Sequence, residues 1–224
     1  MDVNLIWSSI PVLARGLQNT MQIVVSATLL GGALALAGSI LTLSRQLWIR
    51  KSVQVCSSII RGTPILVQLF FVYYGFAQYE WIRNSWFWWI LKEPIPCATM
   101  VFAINHAGYL VPLWTGAFAG VNRGQWEAAR SLGLSKKIAF SWIIFPQAVR
   151  LIQPAYLNEI IFLLKGSALL SAIAVADLLG VARRISSAHF APLEMFSVVA
   201  CVYAAIVLTM MGIVAYVRRN NGNE

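Results

Sequence analysis

The sequence predicts an all-α integral membrane protein of about five transmembrane helices. Of its 224 residues, 59% are hydrophobic and 11% charged, against roughly a quarter charged in soluble domains. Mean hydropathy is +0.71. The apolar residues are also gathered into long runs, and a helix needs roughly 20 such residues to cross a bilayer core. One domain is expected, with spans over about 18–43, 54–79, 95–120, 138–164 and 195–217 and a polar loop at 121–137.

Several function classes fall away at once. The formal charge of +9 does not point to nucleic acid, because the bases sit between apolar runs rather than on one soluble face. Cys56, Cys97 and Cys201 are scattered without metal-ligand spacing and read as apolar filler. No nucleophile elbow, metal-spaced His/Cys set or acid–base pair is visible. Nor is there a Gly-x-x-x-x-Gly-Lys-Ser/Thr loop to cradle nucleotide phosphates. The chain is therefore expected to be a non-enzyme without its own cofactor or metal. Its N-terminus does not read as a cleavable signal peptide, since Asp2 and Asn4 stand where a basic start is needed.

Residues 2–16 mix apolar and polar side chains around Pro11 and Arg15 and read as an interfacial segment. The first span is rich in small residues, Gly31, Gly32 and Gly38 among them, which let membrane helices approach closely. The second contains Arg61-Gly62-Thr63-Pro64, so it should bend. Arg61 and Gln68 are seven apart and are expected on one face. That face lines a pathway or a subunit interface, or else Arg61 extends its tip to the headgroups. Residues 80–96, with Trp81, Trp86, Trp88 and Trp89, read as an aromatic interface belt; a tryptophan cage is the alternative. In the third span Asn105, Tyr109, Pro112 and Gly116 share one helical face, and the neighbouring His106 reads as a packed residue. The fourth should be broken at its start by Pro146 and Pro154. It carries Asn158 and Lys165, seven apart, with Glu159 adjacent. Ionisable groups in a span mark a functional site by default. Residues 171–191 read as a short amphipathic outer helix before the last span.

The most polar long segment is 123–146. Glu127, Ala128, Ala129, Leu132 and Gly133 form a short helix stopped by glycine, Lys136 and Lys137 follow, and a second helix starts. The result is a helix-turn-helix elbow between two spans. One set of loops holds nine bases: Arg45, Arg50, Lys51, Arg123, Arg130, Lys136, Lys137, Arg218 and Arg219. The other holds six: Arg15, Arg83, Lys92, Lys165, Arg183 and Arg184, offset by Asp2, Glu80, Glu93, Asp177 and Glu194. Lys and Arg favour the cytoplasmic side. That places the elbow and the C-terminus inside and the N-terminus outside.

Glu127-Ala128-Ala129, a glycine at 133 and then Ile143-x-Phe145-Pro146 resembles the EAA loop of bacterial ABC importer permeases. The flanking words, Arg123-Gly124-Gln125-x-Glu127, Pro146-Gln147-Ala148-x-Arg150 and Arg61-Gly62-Thr63-Pro64-Ile65-Leu66-Val67-Gln68, resemble the polar-amino-acid uptake branch. The likeness runs from about Gly16 to the C-terminus. It implies a type I importer permease fold in the bacterial inner membrane, carrying a polar amino acid. The implied partners are an ATP-binding subunit dimer that holds the ATP, a second permease and an extracytoplasmic solute-binding protein. It assigns ATPase coupling to Arg123, Gly124, Gln125, Glu127, Ala128, Ala129, Leu132, Gly133 and Lys136, with both alanines small enough to enter a groove on the ATPase. The substrate pathway or permease interface would use Arg61, Thr63, Pro64, Gln68, Asn105, Tyr109, Asn158, Glu159, Lys165 and Ser167.

The sequence departs from the family's pattern at two places. Pro112 and Thr115 stand where an acidic residue and an arginine are usual. Leu164-Lys165-Gly166-Ser167-Ala168-Leu169 lacks the usual aspartate. An unlike second permease is therefore expected, with a like one as the alternative. The competing functions are a permease for another small solute, an ion-coupled channel or carrier relaying through Glu159, Lys165 and Arg61, and a structural membrane protein.

Overall fold

A computed structural model describes residues 3–221, with side chains described for 4–216. Asp2 and the side chains of Arg218 and Arg219 lie outside the described residues. Among the described residues the architecture is helical throughout. Helix α1 (Val3–Thr42) is followed by α2 (Leu47–Gly62) and α3 (Ile65–Phe70), which continues through wider and tighter turns to Gln78. Two single turns, α4 (Glu80–Arg83) and α5 (Trp88–Leu91), lead into α6 (Pro94–Gly120). The elbow is α7 (Arg123–Ser131) and α8 (Lys136–Ala139). A π turn at Phe140–Ile144 joins α8 to α9 (Phe145–Gly166), a 3-10 segment Ser167–Ile173 follows, and α10 (Leu178–His189) and α11 (Pro192–Asn221) close the fold.

Residues 3–16 are not a separate interfacial segment. They are the first turns of α1, whose 40 residues extend about 60 Å at 1.5 Å per residue. Pro11 leaves the helix intact: the carbonyl it deprives of a partner is that of exposed Trp7. This half of α1 is held by its own small core, in which Leu13 packs with Val181, Ala182 and Met195. Thr20 Oγ1 accepts from the Leu178 amide at 3.1 Å and Asn19 donates to the Ala176 carbonyl at 3.0 Å. These bonds pin the start of α10 to α1. Asp177 caps that start through the Leu179 and Gly180 amides. Burial pushes its carboxyl above the usual range, and the two amides pull the other way.

The break expected at Pro154 does not occur, since α9 runs through it unbroken. Pro146 sits in the first turn of α9, where a missing N–H is tolerated. Three stretches among the described residues are long and apolar enough to cross a membrane: Asn4–Thr42, Lys136–Ile173 and Pro192–Tyr216. The bent pair Leu47–Gly62 and Ile65–Gln78 makes a fourth if taken as one span. The expected third span coincides with helix α6, which is absent from that set. Its 27 residues are sufficient, yet Asn105, His106, four glycines or prolines past its first turn and three further hydroxyls dilute its apolarity. They can be there because α6 is the central helix, packed on α1, α9 and α2 and buried from Cys97 to Phe118 along its inner faces.

Glycines set the closeness of that packing. A Cβ on Gly31 would lie 2.6 Å from the Ala103 carbonyl oxygen, and one on Gly108 would lie 2.5 Å from Ile60 Cγ2. Ser57 donates to the Gly108 carbonyl at 2.7 Å across the second contact. In contrast, α11 buries only 6% of its most apolar window inside the chain. Its apolar surface is left for lipid or another subunit. Gly31→Ala is expected to lower the melting temperature of the detergent-solubilised protein, since its clash is with backbone and overpacking costs about 1–3 kcal/mol. Gly116→Ala, with nothing within 4 Å, is expected to leave it unchanged.

Candidate functional site

The site begins where α2 fails to continue into α3. Thr63 precedes a proline, which disfavours the helical conformation, and it is extended at φ −112° and ψ 135°. The two helices meet at 99°. A break of this kind frees carbonyls that lipid cannot satisfy. Gln68 supplies the donors: Nε2 lies 2.8 Å from the Ile60 carbonyl, 3.1 Å from the Thr63 carbonyl and 2.6 Å from Thr63 Oγ1. Its Oε1 accepts from Asn105 Nδ2 at 3.1 Å, tying the break to α6. Because the helix turns here, Arg61 and Gln68 do not share a face as a heptad spacing would require. Gln68 supports the break from behind, while Arg61 faces open space.

That space is a cavity of about 530 Å³ between the break, α6 and α9, within the range typical of small-molecule sites. Its polar lining comes from Arg61, Thr63, Asn105, His106, Tyr109 and Glu159. Pro64 and Gly62 supply the broken backbone, and Phe162, Leu163 and Gly166 the α9 wall. Arg61 and Glu159 form no ion pair with each other. A cation and an anion thus face one hollow with their ionic capacity unspent. Ionisable groups inside a span are costly and rare, which makes this hollow the candidate site.

Other expected pathway residues lie elsewhere. Ser167 is fully buried; it donates to the Leu164 carbonyl at 2.6 Å and lies 3.2 Å from the Tyr203 hydroxyl, so it serves packing rather than the cavity. Asn158 and Lys165 are exposed on the outside of α9, and Lys165 Nζ lies 5.9 Å from the Phe162 ring centroid. At the positions departing from the family pattern, Thr115 turns inward with its hydroxyl 3.0 Å from that of Thr42. His106, read from sequence as a packed residue, is 2% exposed and also lines the cavity. Its signal was present as a polar residue in a span.

The elbow is built by two caps and a glycine. Asn122 accepts from the Gly124 amide at 2.8 Å to start α7. At its end, the Gly133 amide bonds the Arg130 carbonyl and the Leu134 amide the Ala129 carbonyl, the paired closure of a Schellman motif. Gly133 holds φ +69°, which a side chain would resist. Ser135 then accepts from the Ile138 amide at 3.4 Å to open α8. Trp126 and Phe140 seat the elbow on a core containing Ile144 and Ala148, beside stacked Trp114 and Phe145 rings 5.9 Å apart. Arg123, Gly124, Gln125, Glu127, Ala128, Leu132, Gly133 and Lys136 are exposed. Ala129 is 0% exposed. It packs α7 against its own chain and cannot enter a groove on a partner.

Residues 27–221 match the family profile described as binding-protein-dependent transport system inner membrane component. An octopine transport system permease protein of Rhizobium meliloti is 32% identical over 202 residues, spanning 90% of this chain and 82% of its own length. An arginine ABC transporter permease protein of Haemophilus influenzae is 33% identical over 195 residues, spanning 87% and 86%. Among solved structures, a crystal structure of an amino acid ABC transporter with histidines superposes with a TM-score of 0.86 at 30% identity, covering 98% of this chain and 99% of that one.

Gln68→Ala removes the donors at the break and leaves Asn105 short of a partner. Thermal unfolding is expected to show a loss of about 1–3 kcal/mol, the cost of leaving buried polar groups unpaired, while Asn158→Ala on the exposed side of α9 changes little.

Proposed function

The chain belongs to the family of binding-protein-dependent transport system inner membrane components, and from that premise we infer that it moves polar amino acids across the membrane through the cavity between the α2–α3 break, α6 and α9. It is the permease subunit of an ATP-driven ABC importer in the inner membrane. Hydrolysis belongs to a separate ATPase subunit, which binds the ATP, and a solute-binding protein delivers the cargo.

The observation that carries the substrate class is the unpaired Arg61 and Glu159 facing one hollow. An amino acid is a zwitterion. A guanidinium suits its carboxylate, and a carboxylate suits its ammonium or a cationic side chain. Asn105 and Tyr109 add neutral hydrogen-bonding capacity beside them. The names of the relatives, arginine and octopine permeases, agree with such a solute.

The elbow is the coupling element in this reading. Glu127, Ala128, Leu132 and Lys136 form the exposed face that an ATPase would grip, and Gly133 holds the turn. Ala129 anchors the helix on its own side, so force on α7 passes into the aromatic core and on to α9. Closure of the ATPase on ATP would then open the cavity outward, by alternating access. The base distribution argues for an elbow and C-terminus in the cytoplasm and an N-terminus outside. The inward-turned Thr115 and the uncharged Pro112 leave this chain without the charges that its family pattern offers there, which favours an unlike second permease across the exposed α11.

Two measurements test the reading in vesicles holding the chain with its ATPase and binding protein. ATP-driven uptake of a cationic amino acid is expected to fall more than tenfold in Arg61→Ala and in Glu159→Gln, as charge-assisted hydrogen bonds are worth about 1.5–3 kcal/mol. Glu127→Lys is expected to abolish uptake with weakened ATPase assembly. Uptake that persists without ATP would replace the importer reading with a gradient-driven carrier.

A further inference from the structure

Between the elbow and Glu159, α9 makes a polar contact with α1. Tyr156 donates to the Thr28 carbonyl at 3.5 Å, well beyond the ~2.7–2.8 Å usual for a hydroxyl donor. Two neighbouring groups have no hydrogen-bond partner at all, although both are buried: Thr28 Oγ1 and His106 Nε2. Most buried polar atoms are satisfied, so such an exception calls for a reason.

Adjacent glycines on α1 make room for this cluster. A Cβ on Gly32 would lie 2.5 Å from Tyr156 Oη, and one on Gly31 would lie 3.1 Å from His106 Cβ. The His106 and Tyr156 rings stand edge to face with centroids 6.0 Å apart. His106 also forms part of the cavity wall. Three helices, the cavity and an unpartnered imidazole nitrogen therefore meet at a hydroxyl that is only weakly held.

We propose that Tyr156 is a positioning residue for transport: its hydroxyl exchanges acceptor, from the Thr28 carbonyl in this state to His106 Nε2 in the state reached when α9 moves. The exchange gives the second state a satisfied histidine and a shorter bond, and so offsets the cost of moving α9. It works through α9 and touches no solute. Tyr156 lies three residues before Glu159 on the same helix, so the movement that makes the new bond also carries Glu159. The proposal rests on the importer reading above for its transport readout, but the exchange is tied to the ATPase cycle and not to the identity of the solute.

The test uses the assembled transporter in vesicles, with Tyr156→Phe, His106→Leu and the double variant, read by uptake and by ATP hydrolysis. Each single change is expected to lower the maximal uptake rate and the stimulated hydrolysis about fivefold, the population shift of one lost neutral hydrogen bond; the half-saturating concentration should change little in Tyr156→Phe, whose side chain does not line the cavity. The double variant is expected to be no worse than either single one. His106→Leu removes an unsatisfied buried nitrogen, so the resting complex should melt no lower than the wild type; a merely structural histidine would lose stability and rate together. His106→Gln, which restores an acceptor, should recover rate. Additive losses, or wild-type rates in either single variant, overturn the exchange. If amino acid uptake is absent in the wild type while hydrolysis still falls non-additively in these variants, the amino acid assignment fails and the exchange stands.

Discussion

A bilayer interior offers no water to a freed carbonyl, and that constraint governs the rest of this structure. The chain must break α2 from α3 to make a cavity, and a break inside lipid is tenable only where protein groups replace the lost backbone bonds. One side chain does most of that. Gln68 directs its amide donors to the Ile60 and Thr63 carbonyls and the Thr63 hydroxyl, and its oxygen to Asn105. The break, its repair and the attachment to the central helix are thus a single hydrogen-bonded unit. Arg61 can face the hollow because the backbone beside it is held by a residue that does not.

The same constraint explains the composition of α6. A helix facing lipid on all sides could not carry Asn105 and His106. α6 can, since α1, α2 and α9 replace lipid around it. That enclosure needs close approach, which Gly31 and Gly108 supply. Polarity in the middle of the protein is therefore bought with glycine at its contacts. The least lipid-like of the long helices is consequently the one that lines the site.

Much of this was legible in the sequence because the signals were local. The apolar runs located the long helices, the Gly-Thr-Pro triplet located the bend, and Gly133 located the end of the elbow's first helix. Charges in spans pointed to Arg61 and Glu159. What failed depended on geometry beyond the local pattern. The seven-residue spacing of Arg61 and Gln68 implies a shared face only in an unbroken helix. Ala128 and Ala129 are indistinguishable by type, and only the 100° step between them decides that one faces out and the other in. Ser167 carries a plausible hydroxyl but is claimed by Leu164 and Tyr203. Pro154 sits in a helix that tolerates it, and residues 3–16 needed α10 and α11 beside them to become part of a long helix. His106 gave no sign that its Nε2 would be buried without a partner, which depends on the helices packed around it.

The placement of these parts along α9 has a mechanical consequence. Its first turn stacks on the aromatic core that seats the elbow, and Glu159 lies fourteen residues further along, about 21 Å at the helical rise. A helix unbroken between those points transmits a tilt without dissipating it in a kink, which gives a reason for α9 to run intact through Pro154 where a hinge would be costly to coupling. The burial of Ala129 serves the same end. An elbow whose every small residue faced its partner would be gripped well and anchored poorly. With Ala128 outward and Ala129 inward, the coupling role proposed above would have one turn of helix receive force on one face and deliver it on the other.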